Sequence, residues 1–255
     1  MTGCDHIVVR NFTVDYSPLP FSQGVITSIN AADGTFVFDP LPGYPDPIMY
    51  PANKLWGTAY DPATQDIRYA AGDHLFMETM TDLGNGTFEF QARNTYISQV
   101  GGLELNDLFV FRAYPATSIP GSGSWANISG NGAVAFDNVK LRSAPGFAFG
   151  VFSNNKPILF RNITISPPPG SGRLVSSFGD GFHVSENRFG PIIEGGYFTY
   201  LMDDTMNIKA TGFSVNELLG GTSLKLGSSA HAIGDVLQFV QGGRDVLGQA
   251  TVVGI

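Results

Sequence analysis

The amino-acid sequence predicts an all-β fold, a right-handed parallel β-helix (a solenoid) interrupted by small antiparallel β-barrel insertions. Three observations lead to this prediction. A six-residue pattern recurs along the chain, an intervening stretch alternates as β-hairpins do, and charged residues make up only 14% of the chain beside 32 glycines and 16 prolines. Such a balance suits short strands joined by tight turns, so we expect few helices.

The repeated pattern is a hexamer that reads apolar, polar, Asn or Gly, apolar, polar, apolar. It occurs as VRNFTV (9–14), FDNVKL (136–141), FRNITI (160–165) and, in degenerate form, IEGGYF (193–198). A short strand of this pattern points three side chains inward and places Asn at a bend, so the Asn residues are expected to stack as a ladder. The second and third copies lie 24 residues apart, a spacing that suits one solenoid coil per repeat.

A second set of strands supports the same register. AFGVF (148–152), GFHVS (181–185) and TMNIK (205–209) follow the hexamers at comparable distances. Their alignment predicts two inward stacks, as in the interior of a parallel β-helix. The first stack is Phe149, Phe182 and Met206, and the second is Val151, Val184 and Ile208.

Four segments follow from these patterns. Residues 1–18 are predicted to form a β-helix coil, 19–115 an inserted antiparallel β-barrel, and 116–211 the β-helix coils that carry the site. GVITSI and TFVFDP flank a hairpin loop in the barrel segment, and TFEFQA and DLFVFRA add strands. Residues 212–255 repeat this style, and we expect them to be the start of a second, truncated barrel-like insertion.

Composition excludes several classes of partner. A formal charge of -8 and a pI near 4.8 argue against nucleic acid and anionic membranes as partners. The sequence also lacks a run of about 18 apolar residues, which a membrane-spanning helix would need. The single cysteine, Cys4, excludes an internal disulfide framework, and the four histidines are too scattered for a standard zinc pattern. We therefore expect no metal and no cofactor. The oligomeric state stays open.

The densest polar group lies in the segment from 178 to 209. Asp180 and Asp204 are 24 residues apart and each precedes a strand of the second set, so consecutive coils place them about 4.8 Å apart. Repulsion between such neighbours favours a protonated acid beside an ionised base, the pair that cleaves glycosidic bonds. Asp203 adds a third carboxylate, and all three are candidate catalytic residues. The alternatives are turn caps or a calcium site.

Five further residues are candidates for contact with substrate. Strand alternation predicts that His183 faces outward directly over Asn207. Arg188 and Glu194 lie between the acidic turns and are suited to bind sugar hydroxyls, although a surface ion pair is the ordinary role of such residues. Tyr200 is the aromatic residue nearest to the acidic turns in sequence, and a sugar ring can stack on it.

Three segments of this region carry a family resemblance: DGFHV (180–184), GPIIEGGYF (190–198) and MDDTMNI (202–208). They resemble the pectin-lyase-like β-helix glycosidases, most closely glycoside hydrolase family 110, the α-1,3-galactosidases. The resemblance implies exo-acting hydrolysis of terminal α-galactosides with inversion, without a cofactor, by aspartates that match Asp180, Asp203 and Asp204. Lys209 and Ala210 stand where the family has histidine and glycine, which leaves the exact sugar open.

Three functions therefore remain under consideration. The first is an inverting α-galactosidase that acts on an oligosaccharide or polysaccharide. The second is another β-helix enzyme of polysaccharides, either a polygalacturonase-like hydrolase or an epimerase, although the Gly-His-Gly and Arg-Ile-Lys motifs of polygalacturonases are absent. The third is a non-catalytic carbohydrate-binding or adhesion surface. Since polymeric substrates lie outside the cytoplasm, we expect a secreted or periplasmic protein.

Overall fold

A computed structural model describes residues 1–48, 56–113, 124–210, 212–227, 231–242 and 245–255. The chain divides into two units, Met1–Lys209 and Ala210–Ile255. The predicted boundaries at 115/116 and 211/212 touch residues outside the described ranges, so they stay predictions. The first unit contains the parallel sheets, the barrel and the candidate site.

Two four-stranded parallel sheets carry the site. Sheet 1 has the order β1 (Ile7–Val14), β9 (Val134–Leu141), β11 (Ile158–Ile165) and β13 (Ile192–Phe198). Sheet 2 has the order β14 (Met206–Lys209), β12 (Phe182–Ser185), β10 (Phe149–Phe152) and β8 (Ala126–Ser129). From β8 to β14 the chain alternates between the two sheets, so each pair of strands adds one layer to the stack.

The register of both sheets confirms the alignment that the sequence predicts. Phe149 pairs with Phe182 and Phe182 with Met206, while the hexamers of sheet 1 pair residue for residue. The inward aromatic rings stack between layers, with centroids 5.1 Å apart for Phe149 and Phe182 and 5.4 Å apart for Phe136 and Phe160. These rings pack the interior between the layers. The last members of the two predicted inward stacks, Met206 and Ile208, are instead 36% and 66% exposed, since β14 is the edge strand of its sheet.

The Asn column of the hexamers lies at bends of the backbone, as expected. Asn11, Asn138 and Asn162 have φ values of 61°, 52° and 53°, respectively, and Gly195 has 70° in the fourth copy. Asn and Gly are the residues that adopt this left-handed conformation most readily. The side-chain amide of Asn138 also donates to Asn11 Oδ1 at 2.9 Å. The column therefore bends each strand and links two of the layers.

A second asparagine ladder is buried, and the sequence analysis missed it. The Asn131 backbone N–H and side-chain amide donate to Asn154 Oδ1 at 2.9 and 3.2 Å, and those of Asn154 donate to Asn187 Oδ1 at 2.9 and 2.8 Å. The Asn154 amide also donates to the Ile128 carbonyl at 3.1 Å. The three asparagines thereby join successive turns through groups that have little access to water.

Residues 21–112 contain a closed antiparallel barrel, in the strand order β2, β3, β6, β5, β4, β7. The strands are β2 (Phe21–Asn30), β3 (Thr35–Pro40), β4 (Trp56–Tyr60), β5 (Leu75–Asp82), β6 (Phe88–Ala92) and β7 (Leu108–Arg112). The predicted hairpin of GVITSI and TFVFDP is β2 with β3, so that prediction is confirmed. Alternating phenylalanines, including Phe36, Phe90 and Phe109, fill the interior.

An apolar cluster joins the barrel to the parallel sheets. Phe21, Tyr60 and Val110 of the barrel pack with Phe178 and Met202. Trp56 of β4 stacks on the Phe178 ring with centroids 5.0 Å apart. Because Met202 immediately precedes Asp203, this contact places the barrel beside the acidic segment.

The second unit contains two antiparallel hairpins. Strands β15 (Val215–Gly220) and β16 (Ser223–Leu226) form one, and β17 (Val236–Gln241) and β18 (Asp245–Thr251) form the other. These strands, among them SLKL in β16 and VLQFVQ in β17, agree with the strand-rich style expected of this segment. The two hairpins belong to separate sheets within the described residues.

Helical structure is scarce in the part of the chain that the structure describes. It amounts to one helix, α1 (Ile97–Val100), and two short 3₁₀ turns at Tyr69–Ala71 and Asn94–Tyr96. None of these helices has the length and apolar character that a membrane crossing requires. The all-β prediction holds for the described residues.

Candidate active site

The three predicted aspartates meet in one group. Asp180, Asp203 and Asp204 each offer a carboxylate oxygen, and these oxygens lie within 4.8 Å of one another. Asp180 stands in the turn before β12 and Asp204 in the turn before β14, and the Gly181 N–H donates to the Asp204 carbonyl at 2.9 Å. The parallel register therefore brings together residues 24 positions apart, as the repeat predicts.

The aspartates differ in exposure. Asp180 is buried at 1% exposure, whereas Asp203 and Asp204 are exposed. The buried carboxylate contacts His183, with Asp180 Oδ2 2.5 Å from His183 Nδ1. The imidazole of His183 lies flat on Phe147, with ring centroids 4.2 Å apart. His183 is thus held against the buried aspartate, and the two exposed carboxylates form the surface of the group.

The surroundings raise the pKa of Asp180 above its ordinary value of 3.8. Burial is the largest cause, because it removes water from the charged form. The hydrogen bond from His183 opposes this effect, while the negative charges of Asp203 and Asp204 add to it. Asp180 therefore keeps a proton to higher pH than an ordinary aspartic acid.

Local hydrogen bonds orient the exposed pair. The Asp204 N–H donates to Asp203 Oδ1 at 3.0 Å, and the Asn207 side-chain amide donates to Asp204 Oδ2 at 3.4 Å. Asn207 pairs with His183 across β14 and β12, which confirms the predicted register of these two residues. Asn207 therefore helps to hold one carboxylate of the group.

A cleft of about 200 Å³ opens beside Asp203 and Asp204, and its opposite wall comes from the barrel segment. That wall consists of Thr58, Tyr60, Ile67, Tyr69, Asp73 and His74. The sequence analysis missed these residues. Docking of the barrel against the parallel sheets brings them to the acidic segment, and neither the repeat nor the spacing carries a signal for that docking.

The other predicted substrate-binding residues lie apart from this cleft. Glu194 accepts a hydrogen bond from Arg161 Nε at 2.8 Å on sheet 1, the surface ion pair that the sequence analysis weighed as an alternative. The Arg188 backbone N–H donates to the Asn154 carbonyl at 3.1 Å. Neither side chain is among the described residues that line the cleft.

Tyr200 borders a neighbouring depression of about 520 Å³, together with Gln65 and Tyr197. Its side chain is 38% exposed. Burial raises the pKa of the Tyr60 hydroxyl in the cleft, and the nearby Tyr200 phenol raises it further. Tyr200 is therefore close to a residue of the cleft without lining it.

The acidic group also has the composition of a cation site. Three carboxylates suit a hard cation such as Ca²⁺, which takes about six to eight oxygen ligands. The Asp180 oxygen that contacts His183 is already engaged. The three carboxylates thus supply only a few of the oxygen ligands that a calcium ion takes. One buried and two exposed carboxylates are better suited to proton transfer.

Comparison with known proteins gives a distant relationship. No family model matches the chain. The chain is 23% identical over 200 residues to alpha-1,3-galactosidase A of Bacteroides fragilis strain YCH46, and equally to that of strain ATCC 25285. The match covers 74% of this chain and 31% of each relative's length. The chain therefore spans about a third of the length of these curated relatives, to which it is distantly similar.

Proposed function

We propose that the protein is a glycoside hydrolase that removes terminal α-1,3-linked galactose from oligosaccharides or polysaccharides. The observation that carries the proposal is the cluster of Asp180, Asp203 and Asp204. In this cluster a buried carboxyl with a raised pKa lies behind two exposed carboxylates, and these two line a cleft. The distant similarity to alpha-1,3-galactosidase A supports the choice of sugar and linkage.

Cleavage of a glycosidic bond needs one group to protonate the leaving oxygen and another to activate water. Asp203 and Asp204 are the members that reach the cleft surface, so we assign them contact with the substrate. One of this pair protonates the leaving oxygen and the other accepts a proton from the attacking water, while Asp180 lies behind them and keeps its own proton to higher pH than an ordinary aspartic acid. His183 holds Asp180 in place through the 2.5 Å contact.

The size of the cleft supports exo action. About 200 Å³ is smaller than the roughly 300–1,000 Å³ of sites for drug-sized ligands, and it suits one sugar ring rather than a chain. A terminal residue would enter the cleft and leave the rest of the glycan outside. The depression beside Tyr200 is suited to the sugar on the leaving side.

The stereochemical outcome is part of the proposal. The family resemblance implies inversion, which in general places the two carboxyl groups about 6.5–9.5 Å apart. The nearest oxygens here lie within 4.8 Å, a spacing closer to that of retaining enzymes. We propose inversion, and proton NMR of the first-formed anomer tests it: β-galactose as first product supports inversion, and α-galactose overturns it.

The architecture belongs to the same proposal. We infer that the alternation of the chain between the two parallel sheets is that of a right-handed parallel β-helix, since parallel crossovers are nearly always right-handed. We also propose that the protein works outside the cytoplasm, where its glycan substrates lie. Detection of the tagged protein in the cytoplasmic fraction alone would contradict this location.

The test uses a panel of p-nitrophenyl glycosides and α-1,3-linked galactosyl oligosaccharides with the full chain. We expect galactose release by the wild type and a loss of about 10²- to 10⁴-fold in Asp203→Asn and Asp204→Asn. Asp39→Asn, at an exposed position on the barrel strand β3, is the matched control and should keep full activity. A folded wild type that releases no sugar, or an Asp204→Asn variant as active as the control, contradicts the proposal.

A further inference from the structure

We propose that the inserted barrel selects the substrate: His74 and Tyr69 bind the sugar whose glycosidic bond Asp203 and Asp204 cleave, and they accept a neutral sugar rather than a uronic acid. This inference rests on the proposed glycosidase function and extends it to the substrate class. It starts from the cleft, which the barrel and the acidic segment line together.

The loop that carries His74 is fixed from within the barrel. The hydroxyl of Thr58, a buried residue of β4, donates to the Asp73 carbonyl at 2.7 Å. His74 follows directly and precedes β5. A loop anchored in this way presents its side chains in a constant position, which is what recognition of a small ligand requires.

The imidazole of His74 is fixed from two sides. Its Nδ1 lies 3.3 Å from Asp73 Oδ1, and its ring meets Trp56 edge to face with centroids 4.1 Å apart. Trp56 in turn stacks on Phe178, outside the barrel. A carboxylate at Nδ1 favours the tautomer with the proton on Nδ1, so Nε2 can accept a hydrogen bond from a sugar hydroxyl.

Tyr69 adds an aromatic surface at the mouth of the cleft. Its side chain is 75% exposed, although large aromatic side chains are usually much more buried. A sugar ring presents apolar C–H groups on one face and hydroxyls at its edge, so an exposed phenol ring beside an imidazole matches both parts. Tyr69 and His74 therefore form a recognition surface in the cleft that Asp203 and Asp204 also line.

The charge of the cleft decides between neutral and acidic sugars. Asp73, Asp203 and Asp204 all line it, and none of its described lining residues is lysine or arginine. A uronic acid would bring another carboxylate into this acidic site, where like charges repel. A neutral hexose brings only hydroxyls, which the carboxylates and the imidazole can pair.

The experiment measures the ratio of kcat/KM for p-nitrophenyl α-galactoside to that for the α-galacturonide and the α-glucoside. A ratio taken in one preparation does not depend on the fraction of folded protein. We expect the wild type to cleave the neutral galactoside at least about 10-fold better than the galacturonide. His74→Phe keeps the ring against Trp56 and removes its nitrogens, and because Nε2 would accept a hydrogen bond from a sugar hydroxyl, we expect the KM for the galactoside to rise about 10-fold.

His74→Asn and His6→Asn form a matched pair, because His6 is 81% exposed and does not line the cleft. His6→Asn should leave this KM unchanged. An unchanged KM for the galactoside in both His74 variants, or equal cleavage of galacturonide and galactoside by the wild type, overturns the inference while leaving the glycosidase function intact.

A binding measurement keeps the inference testable without turnover. Methyl α-galactoside is titrated into the wild type and His74→Phe, and binding is followed by ligand-observed NMR. We expect about 10-fold weaker binding by His74→Phe and no binding of methyl α-galacturonide by either chain. Equal affinity of the two chains for the galactoside overturns the inference. Failure of hydrolysis alone contradicts only the proposed function.

Discussion

Replacement of Asn154 by alanine tests the buried asparagine ladder. The substitution removes the acceptor for the Asn131 backbone N–H and side-chain amide, and the donor to the Ile128 carbonyl and Asn187 Oδ1. These groups lie in the interior of the stack, where an unsatisfied donor or acceptor costs about 1–3 kcal/mol.

The expected loss follows from counting these groups. Asn187 Oδ1 still accepts from the backbone N–H of residue 154, so three of the four groups are left without their partner. Three such groups at the lower end of the range, together with the lost packing of the side chain, give about 3–5 kcal/mol of unfolding free energy. Water that enters the space left by the amide can pair with part of the set, which keeps the loss below the full sum. With a urea m-value of about 2–3 kcal/mol/M, the midpoint should fall by about 1–2.5 M.

Urea unfolding followed by far-ultraviolet circular dichroism measures this shift. Asn155→Ala is the matched control, because Asn155 is the exposed neighbour whose backbone N–H donates to the Asn131 carbonyl. We expect this control to change the free energy of unfolding by less than about 0.5 kcal/mol. A loss below about 1 kcal/mol in Asn154→Ala, or equal losses in both variants, would refute the argument that the ladder stabilises the stack.

Three further changes test other features. Because the pKa of Asp180 is raised, the folded chain binds this proton more tightly than the unfolded chain, so stability falls as the pH rises above 3.8, the ordinary pKa of an aspartic acid. Asp180→Asn should therefore gain stability relative to wild type as the pH rises in thermal melts. A stability difference that does not change with pH argues against this. Gly57→Ala places a Cβ against Phe109 in the barrel, so it should cost about 1–3 kcal/mol by urea titration, whereas Gly190→Ala, where the space is open, should cost little; equal costs would be contrary evidence. Asn138→Val forces a β-branched residue into a backbone conformation with φ 52°. It should lower the free energy of unfolding by about 1–2 kcal/mol more than Asn138→Gly does in the same assay. Equal losses in the two variants would show that the bend carries no strain.

The parallel sheets could be predicted from the sequence because their signal is local and repeated. Each hexamer carries its own apolar alternation and its own Asn at the bend, so an alignment of the copies already gives the register that pairs Phe136 with Phe160. The same spacing placed Asp180 near Asp204 and His183 over Asn207. The buried ladder of Asn131, Asn154 and Asn187 had the same kind of signal in its spacing, but it lies outside the hexamers.

The barrel side of the cleft could not be predicted in this way. Tyr69, Asp73 and His74 meet Asp203 and Asp204 across more than a hundred residues of sequence, and the contact depends on apolar packing such as that of Trp56 on Phe178. Apolar packing has no fixed spacing in the sequence. The burial of Asp180 was equally hidden, because side-chain alternation predicts direction along a strand but not in the turn before it.

Trp56 meets His74 edge to face and stacks on Phe178, so its fluorescence is expected to respond to a ligand in the cleft. The chain has two tryptophans, and the other, Trp125, packs among Phe12, Phe136 and Phe149 in the parallel-sheet core. A ligand that touches His74 changes the surroundings of Trp56 and leaves those of Trp125 unchanged. With Trp125→Phe, the emission reports occupancy of the cleft alone, without a label and without turnover.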